Sequence, residues 1–259
     1  MLLQQPATCR DPAAPREAAI GEALFHAPAL LGGQAERAGL SCAGCHANGR
    51  RSAVFFLDGI SGAPGTADIS SSFFALPRAN AVFDPKPIPD LALPGKISRD
   101  VSALEPFMRG LIVEEFSGAE PDPAALAALA AYVRALRVCS GNDSEARTLA
   151  SDLNLIAGSI DAALVMLERG EGRSAAALIK ATRFRLGLIE ERMAGNRLVP
   201  IRRRLLSASR ELALAAGKPA PLAAWRDRFA RNLRPELLRM EPRSLYAPRQ
   251  VDRWLAQQR

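Results

Sequence analysis

Aromatic residues are scarce in this chain, at 5%, with only two Trp and two Tyr. Ala and Leu fill many segments instead, a balance that favours helices over sheets. No apolar stretch reads as the roughly 20 residues that a bilayer-spanning helix needs. Met1-Leu2-Leu3 runs at once into Gln4-Gln5-Pro6, without the basic flank and long apolar run of a leader. Histidine is scarcer still: His26 and His46 are the only two, beside four Cys. A structural zinc takes four ligands, usually from two separated pairs, and only one close Cys pair exists here. An iron-sulfur cluster asks for four thiolates at closer spacing. No alternating β-rich segment precedes the pair, which argues against a thioredoxin-like dithiol. A hydrophobic content of 48% over 259 residues still supports packed cores, in one large or two ordinary domains.

What is present is concentrated in Cys42-Ala43-Gly44-Cys45-His46. Cys-x-x-Cys-His is the attachment pattern of a c-type haem. The Cys42 and Cys45 thiols would add to the haem vinyl groups, and His46 would be the proximal iron ligand. One motif implies one covalently attached haem c. Bacterial haem attachment takes place outside the cytoplasmic membrane, so the chain is expected to be periplasmic or otherwise exported, with its leader cut off or encoded upstream. Cys9 and Cys139 remain, one on each side of the motif. In an oxidising compartment an even remainder suggests a disulfide. It would close a loop of about 130 residues, worth at most ~5 kcal/mol in the chain-entropy account.

Charge divides the chain after Cys139. Residues 1–139 hold 12 Lys and Arg against 14 Asp and Glu, net −2, whereas residues 140–259 hold 22 against 13, net +9. Ser140-Gly141-Asn142-Asp143-Ser144 reads as the junction, a turn followed by a helix cap. The expected domains are therefore 1–139 and 140–259, both all-α. In the first, a helix is expected at about Pro15–Phe25, with Gly21 and Phe25 on one face. A Pro/Gly/Ser-rich region without a period covers about Arg50–Gly95. Further helices are expected near Ser102–Glu115 and from Pro123 to about Val138. Pro123 suits the first turn of the latter, Asp122 is a candidate cap, and Leu126, Leu129, Val133 and Leu136 form its apolar stripe.

These residues resemble the class I c-type cytochrome domain. Gly21 and Phe25 match the small and aromatic positions of that family's first helix, and Tyr132 matches the aromatic of its last. Gly21-Glu22-Ala23-Leu24-Phe25 followed by Leu40-Ser41-Cys42-Ala43-Gly44-Cys45-His46 is also similar to the start of a haem domain in the di-haem cytochrome c peroxidase and MauG-like group. The resemblance covers about residues 15–139 and implies that the first and last helices cross, with Cys9 and Cys139 close together just outside them. That peroxidase group carries two haem motifs and this chain one, so a two-haem mechanism does not carry over.

The sixth iron position separates an electron carrier from a reactive haem. Met108 is the leading candidate, 62 residues after His46 and before the last helix of this half; Phe107–Val113 also reads as helix, where a Met fills core gaps. His26, or no protein ligand, are the alternatives. Arg50 and Arg51 are candidate partners for haem propionates, with Arg78, Arg99 and Arg109 as further ones. Glu114 or Glu115 would have to supply acid-base chemistry if the haem were catalytic, beside His26.

Residues 144–259 read as an antiparallel helical bundle. Leu149, Leu153, Ile156, Ile160, Leu164 and Leu167 make one stripe, Ala177, Ala181, Phe184 and Leu188 a second, and Leu205, Ala208, Leu212 and Ala216 a third. A shorter helix holds Leu222, Trp225 and Phe229. Met166, Met193 and Met240 read as packing residues. This half has neither His nor Cys, so it carries no catalytic constellation. Arg202-Arg203-Arg204 is its sharpest basic cluster, a candidate dock for an acidic partner protein or anionic lipid heads. Nucleic acid is not expected, since aromatic interleaving and known motifs are missing. The expectation is a mono-haem cytochrome that transfers single electrons and docks through its helical half. The alternative is a haem enzyme or sensor with an open iron site, peroxidase-like or ligand-binding.

Overall fold

The computed structural model describes residues 4–7, 9–70, 74, 79–139 and 144–257, and is 62% helix and 4% strand, an all-α protein. The chain divides into two units, residues 4–146 and residues 147–259. The first reaches past Cys139 because the strand Ser144–Ala146 pairs back onto Gln4–Pro6 at the unit's start. The junction residues 140–143 lie outside the described residues.

In the first unit, β1 (Gln4–Pro6) leads to α1 (Glu17–Phe25), then three short helices, α2 (Pro28–Leu31), α3 (Gly33–Arg37) and α4 (Cys42–Cys45). An irregular stretch follows, ordered by the two-residue antiparallel pair of β2 (Thr66–Ala67) and β3 (Lys86–Pro87). Next come α5 (Val101–Gly110), a π-helical turn at Leu111–Glu115, α6 (Pro123–Ala135) and β4 (Ser144–Ala146). Asp100 caps α5 by accepting from the Ser102 backbone N–H at 3.0 Å. Pro123 starts α6, where its missing N–H costs nothing.

The helices α1 and α6 cross at Gly21. A Cβ there would lie 1.9 Å from the Ala128 carbonyl oxygen, so only glycine lets the two backbones approach this closely. One turn on, the Phe25 and Tyr132 rings meet with centroids 5.1 Å apart. Outside the crossing, the first strand lies antiparallel to the end of the unit. Gln4 pairs with Ala146 and Pro6 with Ser144. The Asp11 N–H donates to the Ala135 carbonyl at 2.8 Å, and the Arg137 N–H to that of Cys9 at 2.9 Å. A disulfide joins Cys9 and Cys139 there, with Cα atoms 5.3 Å apart.

The second unit is built from α7 (Leu149–Glu168), α8 (Gly172–Arg192), α9 (Val199–Ala215) and α10 (Pro219–Arg228), then a π-helical turn at Phe229–Leu233, α11 (Arg234–Met240) and α12 (Pro248–Gln257). Thr148 and Ser151 form a capping box at the start of α7. The first three helices run antiparallel. Arg185 reaches back to Asp152 at 2.6 Å, and α8 meets α9 through Arg183–Ser209 and Glu190–Arg202, pairs whose order reverses along the two helices.

Leu149, Leu153, Ile156 and Ile160 are fully buried, each stabilising the unit by roughly 1.5–3 kcal/mol. Beyond Ile160 the buried face shifts to Ala163 and Met166, leaving Leu164 and Leu167 half-buried, because the 3.6-residue period drifts off a fixed pattern of threes and fours. In α8, Leu178, Thr182, Leu186 and Ile189 face inward, and Phe184, expected in the core, is 41% exposed. Contrary to the expectation from its sequence, α7, with 20 residues, is by length and composition long and apolar enough to cross a membrane; its 18-residue apolar window has a mean hydropathy of 1.4, and half of that window is buried.

Asp152 is buried at the centre of a polar cluster in this core. It accepts from Arg185 at 2.6 Å, Arg147 at 3.0 Å and the Tyr246 hydroxyl at 2.6 Å. Burial alone would raise its pKa, but the two guanidinium groups and the tyrosine outweigh that and hold the carboxyl below its ordinary value.

Candidate functional site

The motif folds as a single helical turn. Ser41 is extended, the chain then turns through α4, and the His46 N–H donates to the Cys42 carbonyl at 2.8 Å. Cys42 and Cys45 stand three residues apart on one helical face. After His46 the chain doubles back through Asn48, whose φ of 54° is left-handed, and Gly49, whose Cβ would strike Leu136 at 2.5 Å. The Asn48 side chain fastens this corner, donating to the Pro6 carbonyl at 2.7 Å and to Glu145 at 2.9 Å.

Cys42, Cys45 and His46 line one cavity of about 460 Å³, and Met108 lines it too. Its walls are mostly apolar: Phe25, Leu40, Ile88 and Leu91, then Leu111, Ile112, Leu129 and Val133. Met108 sits in the last full turn of α5 and is 9% exposed.

Burial pushes the Cys42 thiol up to about 12, helped by nearby Cys45, and pushes the Cys45 thiol up to about 12 as well. Both are protonated at neutral pH. Burial lowers His46 to about 4, against the opposing pull of the Pro89 carbonyl and Asp90. The ring is therefore neutral. Its Nδ1 lies 3.0 Å from the Pro89 carbonyl oxygen. A carbonyl only accepts, so Nδ1 carries the proton and Nε2 keeps a lone pair.

The other sequence candidates are distributed differently. His26 caps the end of α1, with its N–H on the Glu22 carbonyl and its ring edge against Phe25 at 6.3 Å, and is not among the cavity-lining residues. Arg50, also outside the lining, is buried and donates through Nε to Asp90 at 2.6 Å. Arg51 is exposed. Arg99 ties the irregular stretch to α6 by donating to the Leu91 carbonyl at 2.5 Å and to that of Val133. Arg109 makes two hydrogen bonds of 2.6 Å to Glu120 at the surface. Arg78 lies outside the described residues. Glu114 and Glu115 belong to the π-helical turn, and neither lines the cavity.

Two cations not singled out from sequence do line it, Lys86 and Lys96. A signal existed: they are the only lysines in residues 1–139. Pro89 and Asp90 were missed as well, because nothing in an aperiodic stretch marks a carbonyl that will meet a histidine 43 residues away. The carboxylates in the lining are engaged. Asp68 accepts from the Ser70 N–H and hydroxyl at 3.0 and 2.7 Å, and Asp84 pairs with Lys86 at 3.0 Å. Among the described residues, no group of three or more His, Cys, Asp and Glu side chains converges to hold a metal ion.

In the helical unit, Arg202 pairs with Glu190 at 2.5 Å and Arg204 with Glu236, so two members of the basic cluster are neutralised internally. Arg203 is exposed on the same helix. Comparison with known proteins gives no match: no family model, no curated protein and no solved structure is similar to this chain.

Proposed function

We propose that this chain is a mono-haem c-type cytochrome that passes single electrons, with the first unit as its haem domain. The observation that carries this reading is that two thiols, a neutral imidazole with a free ring nitrogen and a thioether all line one apolar cavity. The donor set fits a haem. Cys42 and Cys45 would hold the haem covalently through its two vinyl groups, an addition of S–H that needs no oxidant. His46 and Met108 would hold the iron, and Lys86 and Lys96 would face the two propionates. When bound, the haem supplies a one-electron iron couple.

The protein's own part is to hold and insulate. Pro89 keeps the Nδ1 proton in place, so Nε2 is the nitrogen available to iron. The apolar walls exclude water. Met108 carries no titratable proton, so it would need no deprotonation to bind iron. The acid-base candidates His26, Glu114 and Glu115 do not line the cavity, which favours electron transfer over peroxidase chemistry. A covalent haem and a disulfide both suit an exported, periplasmic protein.

Residues 147–259 hold 22 Lys and Arg against 11 Asp and Glu, net +11. This unit is proposed to dock an acidic redox partner through long-range attraction, without nucleic acid.

The test is the optical spectrum of the haem-loaded protein, oxidised and reduced, with and without carbon monoxide. A low-spin iron with a methionine-to-iron charge-transfer band and no response to carbon monoxide is expected. A high-spin ferric spectrum with ready carbon monoxide binding would overturn electron transfer in favour of an enzyme or sensor.

A further inference from the structure

We infer that the buried Arg50–Asp90 ion pair is a positioning device for His46, fixing the carbonyl that orients the imidazole and thereby setting its strength as an iron ligand. This inference rests on the haem reading and deepens it.

Two segments far apart in sequence meet at this point. One is the motif and the turn after it; the other is Pro89–Asp90. They are joined twice. His46 Nδ1 donates to the Pro89 carbonyl at 3.0 Å, and Arg50 Nε donates to Asp90 Oδ2 at 2.6 Å. His46 and Arg50 are themselves tied by a tight turn, in which the Gly49 N–H donates to His46 at 2.8 Å and the Arg50 N–H to Ala47 at 2.9 Å. The two links and the two short stretches of chain close a ring.

Pro89 needs such help. Proline has no N–H, so this residue cannot anchor itself by donating a backbone hydrogen bond. Its neighbours do so instead. The Ile88 N–H donates to the Gly65 carbonyl at 3.0 Å, and Asp90 Oδ1 accepts from the Ala92 N–H at 2.9 Å. Asp90 thus uses one oxygen to shape its own turn and the other to hold Arg50. The two side chains are only 10% and 14% exposed, so solvent screens the pair weakly.

Groups behind a ligating histidine set its orientation and basicity. A firmly held Pro89 carbonyl strengthens the Nδ1 bond and makes Nε2 a better donor, which favours ferric over ferrous iron. Loosening the carbonyl should raise the midpoint potential, whichever partner is lost. Simple through-space charge behaves otherwise: removing a negative Asp90 raises the potential, and removing a positive Arg50 lowers it.

The test is potentiometric titration of the purified haem protein as wild type, Asp90→Asn, Arg50→Gln and Arg50→Lys. Positioning gives an upward shift in all three, smallest in Arg50→Lys, which keeps the charge but loses the Nε–H contact. Opposite shifts for Asp90→Asn and Arg50→Gln, with no shift for Arg50→Lys, would overturn it. Arg50→Lys also keeps the test decisive if a charge-removing variant fails to fold. Wild-type protein that carries no covalent haem would defeat the haem reading itself, a result visible in its spectrum before any variant is compared.

Discussion

The two units solve the problem of an interior in opposite ways. In residues 147–259 the helices fill their own core: Leu149, Leu153, Ile156, Ile160 and Met166 are fully buried along one helix, and even the buried carboxylate of Asp152 has three partners. In residues 4–146 the helices α1 and α6 are drawn together at Gly21, yet a cavity of about 460 Å³ stays open beside them, lined by the motif and Met108. Protein interiors normally pack to crystal-like density, and unfilled apolar walls forfeit their dispersion contacts. The contrast sets a unit packed on itself against one that keeps an apolar cavity next to its closest helix crossing.

The sharpest way to break this contrast is to withhold what would fill the cavity. On the proposed haem attachment, the double variant Cys42→Ala/Cys45→Ala should lose all covalent haem, measured as the mass of the denatured protein. In thermal unfolding, a first-unit transition should fall sharply while the helical unit's transition stays where it is, since a ligand stabilises only the fold that binds it. Equal loss in both units would mean that the two interiors are not independent.

Asp152→Asn attacks the filled core instead. It leaves Arg185 and Arg147 beside a neutral amide, and breaking a buried pair in this way costs about 3–5 kcal/mol. Chemical denaturation followed by circular dichroism would register it in the helical transition alone. The pH dependence has a definite sign. The folded Asp152 carboxyl lies below its ordinary value, so its contribution is fully present above the unfolded value, near pH 4, and disappears as pH falls through the folded one. Wild-type helical stability should therefore decline in that acid window, and Asp152→Asn should flatten the decline.

Reduction of Cys9–Cys139 is the counterpart in the first unit. A bridge across 130 residues constrains the unfolded chain, and its loss should cost roughly 3–5 kcal/mol in the denaturant midpoint of that unit. Alkylation without reductant should leave both sulfurs unmodified.

Legibility differs between the units for physical reasons. The candidate site was legible as a set of residues where they are consecutive, as in Cys42–His46, and Met108, picked out by its spacing, shares their cavity. It was not readable where it depends on pairings across an aperiodic stretch. Arg50, from sequence a candidate propionate partner or a solvated surface residue, is buried and meets Asp90 40 residues on, and the cations that line the cavity are Lys86 and Lys96. In the helical unit, periodicity revealed the elements and most of the core. It failed at Phe184, where a stripe of threes and fours has two sides and only packing chooses between them. It also gave no hint that Arg202 and Arg204 would be neutralised by Glu190 and Glu236 on neighbouring helices.

The smallest effects give the finest comparison, because the same substitution should act with opposite sign in the two units. Gly21 and Gly158 are both helical glycines with ordinary negative φ, in α1 and α7. A methyl group on Gly21 meets the Ala128 carbonyl oxygen at 1.9 Å and the Tyr132 Cβ at 2.8 Å, atoms that move only if the helix crossing opens. Gly21→Ala should therefore cost about 1–3 kcal/mol through overpacking. On Gly158 the same methyl meets nothing within 4 Å. Gly158→Ala should stabilise the helical unit by about 0.5–1 kcal/mol, since alanine loses less backbone entropy in a helix. Paired denaturation curves would decide it. If Gly21→Ala were as harmless as Gly158→Ala, the close crossing would not be what holds α1 against α6, and the cavity beside them would need another cause.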